Sequence, residues 1–235
     1  MNKPYIILHM VTSIDGKITG NFLSCSQGET LCEEYYRVNR EYKADAFLCG
    51  RITMQGSFTG EELPDLKPFL NAEEKFEDFI AKNHPYYAVA IDPHGKLNWQ
   101  DSEIHDYDPG YDNAHIIEVL TEDIPKGYIS YLESKNISYI FGGKDKINPN
   151  TVCEKLFKLF GIKKLMLEGG GWTDTLFMQN NLIDEISLIV VPVIENDKNA
   201  VDLFSKKQEG LPLNSFSKSS ATILKNGGMH LIFKR

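Results

Sequence analysis

The sequence predicts an α/β protein: a mixed, mainly parallel sheet flanked by helices, with antiparallel strands at the C-terminal end. Three observations carry this expectation. Residues 5–12 (Tyr-Ile-Ile-Leu-His-Met-Val-Thr) form a nearly continuous apolar run, as a strand covered on both faces does. Over the first two-thirds of the chain such runs alternate with segments of helical periodicity, the pattern of βα units. The last third instead sets Asn226-Gly227-Gly228 between two short β-rich runs, a strong hairpin signal.

Composition bounds the rest. Hydrophobic residues make up 42% of the 235 positions and charged residues 25%, enough for a sizeable core. One domain spanning residues 1–235 is expected. Lys and Arg number 25 against 33 Asp and Glu, a formal charge of −8 that argues against a nucleic-acid or anionic-membrane surface. Cys25, Cys32, Cys49 and Cys153 are scattered, with no C-x-x-C pair, and read as the reduced thiols of a cytoplasmic protein. Met1-Asn2-Lys3-Pro4 runs directly into the first strand without a signal-peptide pattern. No apolar stretch approaches the roughly 18 residues of a membrane helix.

Residues 28–43 read as a helix with Leu31, Tyr35, Val38 and Tyr42 on one stripe. A second strand, 44–49, ends at Gly50-Arg51-Ile52-Thr53. Residues 56–69 hold two glycines and two prolines and read as loop, and 71–82 as a short polar helix. A third strand at 86–91 stops at Asp92-Pro93-His94-Gly95. The stretch 98–113 carries Asp106, Asp108 and Asp112 without the carboxylate spacing or closing glutamate of a calcium loop, so an exposed acidic loop is expected and no metal site. A fourth strand at 114–120 and a helix at 124–135 follow. A fifth strand at 137–141 ends in Gly142-Gly143-Lys144, which lacks P-loop spacing. After a helix at 150–160 come a strand ending at Leu167, a glycine turn and a helix from about 173 to 180. Residues 186–194 are the longest β-rich run, and Pro192 in it marks a bulge or an edge.

Three strand ends carry the candidate chemistry. In Glu168-Gly169-Gly170-Gly171-Trp172-Thr173 a strand passes through glycines into a helix, which aims backbone N–H groups at an anion. Glycine lets a ligand approach the main chain, and Glu168 would sit beside it. Gly50-Arg51-Ile52-Thr53 offers a cation and a hydroxyl suited to a phosphate. Thr12-Ser13-Ile14-Asp15-Gly16 leaves the first strand with a carboxylate where open α/β sheets bind ligands. Each has a plainer reading: a tight turn at the glycines, an Asp-Gly turn at Asp15, and a Glu168 that caps the turn's own amides.

Taken in order, Thr12-Ser13-Ile14-Asp15-Gly16-Lys17-Ile18, Asp45-Ala46-(x)3-Gly50-Arg51-x-Thr53, Leu167-Glu168-Gly169-Gly170-Gly171, Leu182-Ile183-Asp184-Glu185-Ile186 and Val191-Pro192-Val193-Ile194 resemble the pyrimidine reductases of riboflavin biosynthesis. That family is also the reductase half of a bifunctional deaminase-reductase. No deaminase-type zinc motif is present here. The resemblance implies a dihydrofolate-reductase-like three-layer fold with helices on both faces of the sheet, NADPH as cofactor, and a homodimer. It implies reduction of the ribose C1′ of a phosphoribosylaminopyrimidine to a ribityl chain. Backbone amides of Gly169, Gly170, Gly171, Trp172 and Thr173 would cradle the cofactor pyrophosphate. Gly50, Arg51 and Thr53 would meet the adenosine-side phosphates, Thr12 would lie by the nicotinamide, and Glu168 and Asp15 would face the substrate. The family's acidic Asp-Asp-Pro segment and later arginine are absent from Thr53-Met54-Gln55-Gly56-Ser57-Phe58-Thr59-Gly60, and its helix arginine is Glu41 here. The ligands of the substrate phosphate are therefore unassigned. A pterin- or dihydrofolate-type reductase of the same fold is the competing enzyme reading, and a non-enzymatic nucleotide-binding module the competing non-enzyme one.

Overall fold

The computed structural model describes residues 2–73, 75–205 and 213–235. Its strands are β1 (Tyr5–Thr12), β2 (Ala46–Gly50), β3 (Tyr87–Ile91), β4 (His115–Thr121), β5 (Ser138–Gly143), β6 (Lys164–Leu167), β7 (Glu185–Val190), β8 (Lys218–Ile223) and β9 (Met229–Lys234). Its α-helices are α1 (Ser26–Tyr42), α2 (Arg51–Met54), α3 (Tyr128–Ser134), α4 (Pro149–Phe160) and α5 (Gly171–Gln179). These fall into two compact units, one of Tyr5–Ala44 with Lys164–Arg235, the other chiefly Asp45–Lys163. The α/β class is as the sequence predicts: parallel pairing up to β7, antiparallel pairing in β8 and β9.

In the first unit the strands run in the order β6-β1-β7-β9-β8. β1 pairs in parallel with β6, Leu8 opposite Leu167, and with β7, Thr12 opposite Val190. Seven of its eight residues are buried, which accounts for the unbroken apolar run. Helix α1 places Leu31 and Val38 against Val11, Phe22, Ile189 and Val191, with Tyr35 and Tyr42 packed alongside. The Cys25 thiol accepts the Gly28 N–H at the helix start, the task usually given to a hydroxyl or carboxylate. Asn226 and Gly227 both take positive φ (62° and 79°), the backbone that a tight hairpin turn demands. β7 stops at Val190, short of the predicted 194, because Pro192 has no N–H for a ladder and Val193 N–H turns back to the Val191 carbonyl at 2.8 Å.

The second unit holds the parallel order β5-β4-β3-β2. The predicted helix at 71–82 does not form among its described residues. Phe79 pairs instead with Tyr139 of β5 (N···O 2.9 and 3.0 Å), and Asp78 accepts from the Phe141 N–H and from Lys155. Covering an open strand edge satisfies more backbone than a short polar helix would. The helix predicted from 124 starts only at Tyr128, after Pro125 and a left-handed Gly127 (φ 93°). The acidic loop is also less exposed than expected. Asp108 is buried and accepts the Gly110 N–H, while Asp106 accepts the Asp108 N–H, so these carboxylates fold the loop. Asp92 and Glu118 are also enclosed in this unit. Asp92 accepts the N–H groups of Lys96 and Leu97, and Glu118 accepts the Trp99 indole N–H. Burial pushes both carboxyls up.

Candidate active site

The glycine turn lies where the sequence places it. β6 ends at Leu167, Glu168 is 5% exposed, Gly170 holds φ 77°, and α5 starts at Gly171. A side chain is disfavoured at Gly170 by its left-handed backbone. At Gly171 the cause differs: an added Cβ would lie 2.3 Å from the Asp202 carbonyl oxygen. The segment around Asp202 is fastened there, with the Ser205 N–H donating to the Gly171 carbonyl (3.1 Å) and to Thr175 Oγ1 (2.7 Å), and Lys17 paired to Asp202 (2.7 Å). The glycines thus serve the protein's own packing. The first-turn N–H groups of α5, at residues 171–173, point along the helix axis toward its N-terminal end. Thr173 is buried and Trp172 half exposed. Asp174, one residue further, is fully buried with no well-formed hydrogen bond to either oxygen, and burial pushes its carboxyl far up, toward the neutral acid.

Glu168 is held from α1. The Asn39 side-chain amide donates to Glu168 Oε1, and both residues are buried. Asn39 interrupts the apolar face of α1 between Val38 and Tyr42, which is the one sign of it in the sequence. The plainer reading of Glu168, a cap on its own glycine turn, does not account for this bond.

Thr12 closes β1 as a buried residue whose carbonyl accepts the Val191 N–H. Asp15 is an exposed carboxylate tied to its own loop and to the segment at 195–196. Its carboxylate accepts from the Ser13 hydroxyl (2.7 Å) and from the N–H groups of Glu195 (3.0 Å) and Asn196 (3.1 Å). Those bonds hold its carboxyl down at about 2. At neutral pH it is ionised and carries no proton to give.

Gly50, Arg51 and Thr53 belong to the other unit. Gly50 ends β2 and Arg51 opens α2, with Thr53 two residues on. The Arg51 guanidinium donates to Gln55 Oε1, and its charge is among the influences that oppose the burial of Asp92. The donor sets, first-turn N–H groups in one unit and a guanidinium with a hydroxyl in the other, have the chemistry of phosphate ligands. Among the described residues no cluster of three or more His, Cys, Asp or Glu is arranged to hold a metal ion.

Comparison with known proteins gives the family and the fold. Residues 4–223 match the RibD C-terminal domain, and the chain belongs to that family. It is 25% identical over 202 residues to the 2,5-diamino-6-ribosylamino-4(3H)-pyrimidinone 5′-phosphate reductase of Methanothermobacter thermautotrophicus, covering 84% of this chain and 82% of that one. The fold is that of a pyrimidine reductase-like protein from Corynebacterium diphtheriae (TM-score 0.67, 14% identity, 99% of this chain and 92% of that one). It is shared with Acinetobacter baumannii RibD (TM-score 0.64, 17% identity, all of this chain), of which the chain spans 58% of the length. The dihydrofolate-reductase-like fold read from the sequence is therefore the right one.

Proposed function

We propose that the chain is an NADPH-dependent reductase acting on the ribose C1′ of a phosphoribosylaminopyrimidine, the substrate class named for its relatives. The observation that carries the reading is Glu168, a buried carboxylate fixed by Asn39 beside the N-terminus of α5. The family match runs continuously over residues 4–223, and this supports treating residues 1–235 as one functional domain. When bound, the cofactor supplies a hydride.

Opening the sugar breaks the C1′–O4′ bond, with O4′ taking a proton from water, while the amino nitrogen shares its lone pair with C1′. The resulting C1′=N centre is positively charged, and hydride addition at C1′ completes the ribityl chain. Glu168 stabilises that positive charge, an interaction stronger in the transition state than in the neutral substrate. The N–H groups of Gly169 to Thr173 would hold the cofactor pyrophosphate, and Thr12 would lie by the nicotinamide. Gly50, Arg51 and Thr53 would hold the adenosine side, where an arginine would favour a 2′-phosphate and hence NADPH over NADH.

A cytoplasmic homodimer is part of the proposal. β8 is a sheet-end strand whose six residues are all exposed, Ile223 among them, and such an edge suits pairing with a second copy. The test is NADPH consumption by the purified protein. We expect turnover with 2,5-diamino-6-ribosylamino-4(3H)-pyrimidinone 5′-phosphate and none with dihydrofolate. The reverse preference would install the pterin-type reading.

A further inference from the structure

We propose that Asp92 and Glu118 together hold one proton inside the second unit at neutral pH, Glu118 as the neutral acid and Asp92 as the carboxylate. This does not depend on the reductase reading. It starts from a glutamate in the middle of an apolar strand. β4 is buried along its whole length, and Glu118 is 0% exposed. Glu118 lies opposite Ala90 of β3, and Asp92 follows Ala90 by two residues. The Asp92 N–H still bonds the Val119 carbonyl of β4 (3.1 Å), so the two carboxyls stand on one face of the sheet. Asp92 is also 0% exposed. Asp92 Oδ1 and Glu118 Oε2 are buried and meet no hydrogen-bond partner among the described residues. Two ionised carboxylates enclosed in this way repel each other and lack the donors that water would give. One bound proton removes the repulsion.

The donors decide which carboxyl keeps the proton. Asp92 accepts the N–H groups of Lys96 and Leu97, the latter at 2.8 Å. The His94 N–H and the Arg51 charge also favour its ionised form. Glu118 accepts the Trp99 indole N–H at Oε1. The Tyr128 hydroxyl stands 3.5 Å from the same oxygen, but its one hydrogen goes to the Leu97 carbonyl at 2.9 Å. Burial, and then the charge of Asp92, push the Glu118 carboxyl well up, against the Trp99 and Tyr128 donors. Groups on the surrounding elements are engaged elsewhere. Arg51 of α2 acts on Asp92, and the His94 side chain pairs with Asp123. Tyr131 of α3 donates to the Trp99 carbonyl, and Tyr139, opposite Glu118 on β5, donates to Glu133 of α3. Among the described residues no third His, Cys, Asp or Glu joins the pair as a metal ligand.

In the unfolded chain Glu118 ionises in the ordinary carboxylate range, whereas the folded chain keeps the proton to higher pH. The stability tied to this group is therefore full below that range. It falls as pH rises, until the folded Glu118 ionises too. Glu118→Gln replaces the acid by a neutral amide of the same shape, whose carbonyl can still accept from Trp99. In urea unfolding between pH 5 and 8, the unfolding equilibrium constant of wild type relative to Glu118→Gln should rise about tenfold per pH unit. The slopes due to His9 and His115 are common to both proteins and cancel. NMR of 13C-labelled glutamate carboxyls should show a neutral acid at pH 7 that is absent from Glu118→Gln. In Asp92→Asn that resonance should remain and titrate at lower pH, because the neighbouring charge is gone. The same displacement identifies Glu118 if Glu118→Gln does not fold. Parallel pH slopes for wild type and Glu118→Gln overturn the proposal. So does the absence of a neutral glutamate at pH 7, or a stability that a metal chelator lowers.

Discussion

Glu168 and Asp15 both sit just beyond strand ends, and their surroundings separate them. Glu168 is enclosed and receives the Asn39 side-chain amide. Asp15 is exposed and serves as acceptor for Ser13, Glu195 and Asn196. Glu168→Gln is therefore expected to lower kcat on the order of a hundredfold while NADPH affinity, measured by fluorescence titration, stays within about twofold. Loss of cofactor binding would return Glu168 to a structural role. Asp15→Asn should instead leave kcat near wild type and lower the thermal midpoint. Because the folded carboxyl is held down at about 2, its contribution is present above the ordinary carboxylate range and disappears as pH falls through that value. The gap in stability between wild type and Asp15→Asn should accordingly close in strong acid. Asp15, Glu168 and the glycines were legible because their residue types and strand-end positions announce them. Asn39 was not, since its partner is 129 residues away and only the fold brings the two together.

At the scale of elements, Gly171 and the buried histidine of β1 make the clearest predictions. Gly171→Ala drives a Cβ into the Asp202 carbonyl, and backbone on both sides leaves little room to yield. A cost of about 1–3 kcal/mol is expected in chemical denaturation. Weaker NADPH binding should follow, because α5 must shift. An unchanged stability would mean that the 200–205 segment does not pack as described. His9 is buried neutral between Ser187 and the Tyr35 carbonyl, stacked on the Tyr35 ring at 4.4 Å, and its pKa is lowered to about 4. Between about pH 6.5 and 4 the unfolded chain takes a proton that the native chain refuses, so stability falls as pH is lowered through that window. His115 on β4, also lowered to about 4, adds to the same slope. Urea midpoints measured from pH 7 to 4 should drop steeply, and less steeply for His9→Gln. The strands and α1 were readable from periodicity, whereas the Cys25 cap of α1 was not. The segment at 71–82 was not, because its polar pattern suits a helix while the open edge of β5 offers it backbone partners that no local pattern can reveal.

At the scale of the molecule, the chain belongs to the RibD C-terminal domain family. Arg51 predicts a cofactor preference: NADPH should bind at least tenfold more tightly than NADH, and Arg51→Ala should remove most of the difference. Equal affinities in the wild type would end that assignment. The fold class was legible in the order of apolar runs and in the Asn226-Gly227 turn, whereas substrate choice was not. The residues that would hold the substrate phosphate depart from the family pattern at 54–60 and at Glu41, so the reacting atom has to be observed. The direct measurement supplies NADPH carrying deuterium at the transferable C4 position, together with the phosphoribosylaminopyrimidine, and locates the label in the product by NMR. One deuterium at C1′ of a ribityl chain is the predicted result. An unlabelled product, or a label found only when dihydrofolate replaces the pyrimidine, would contradict it.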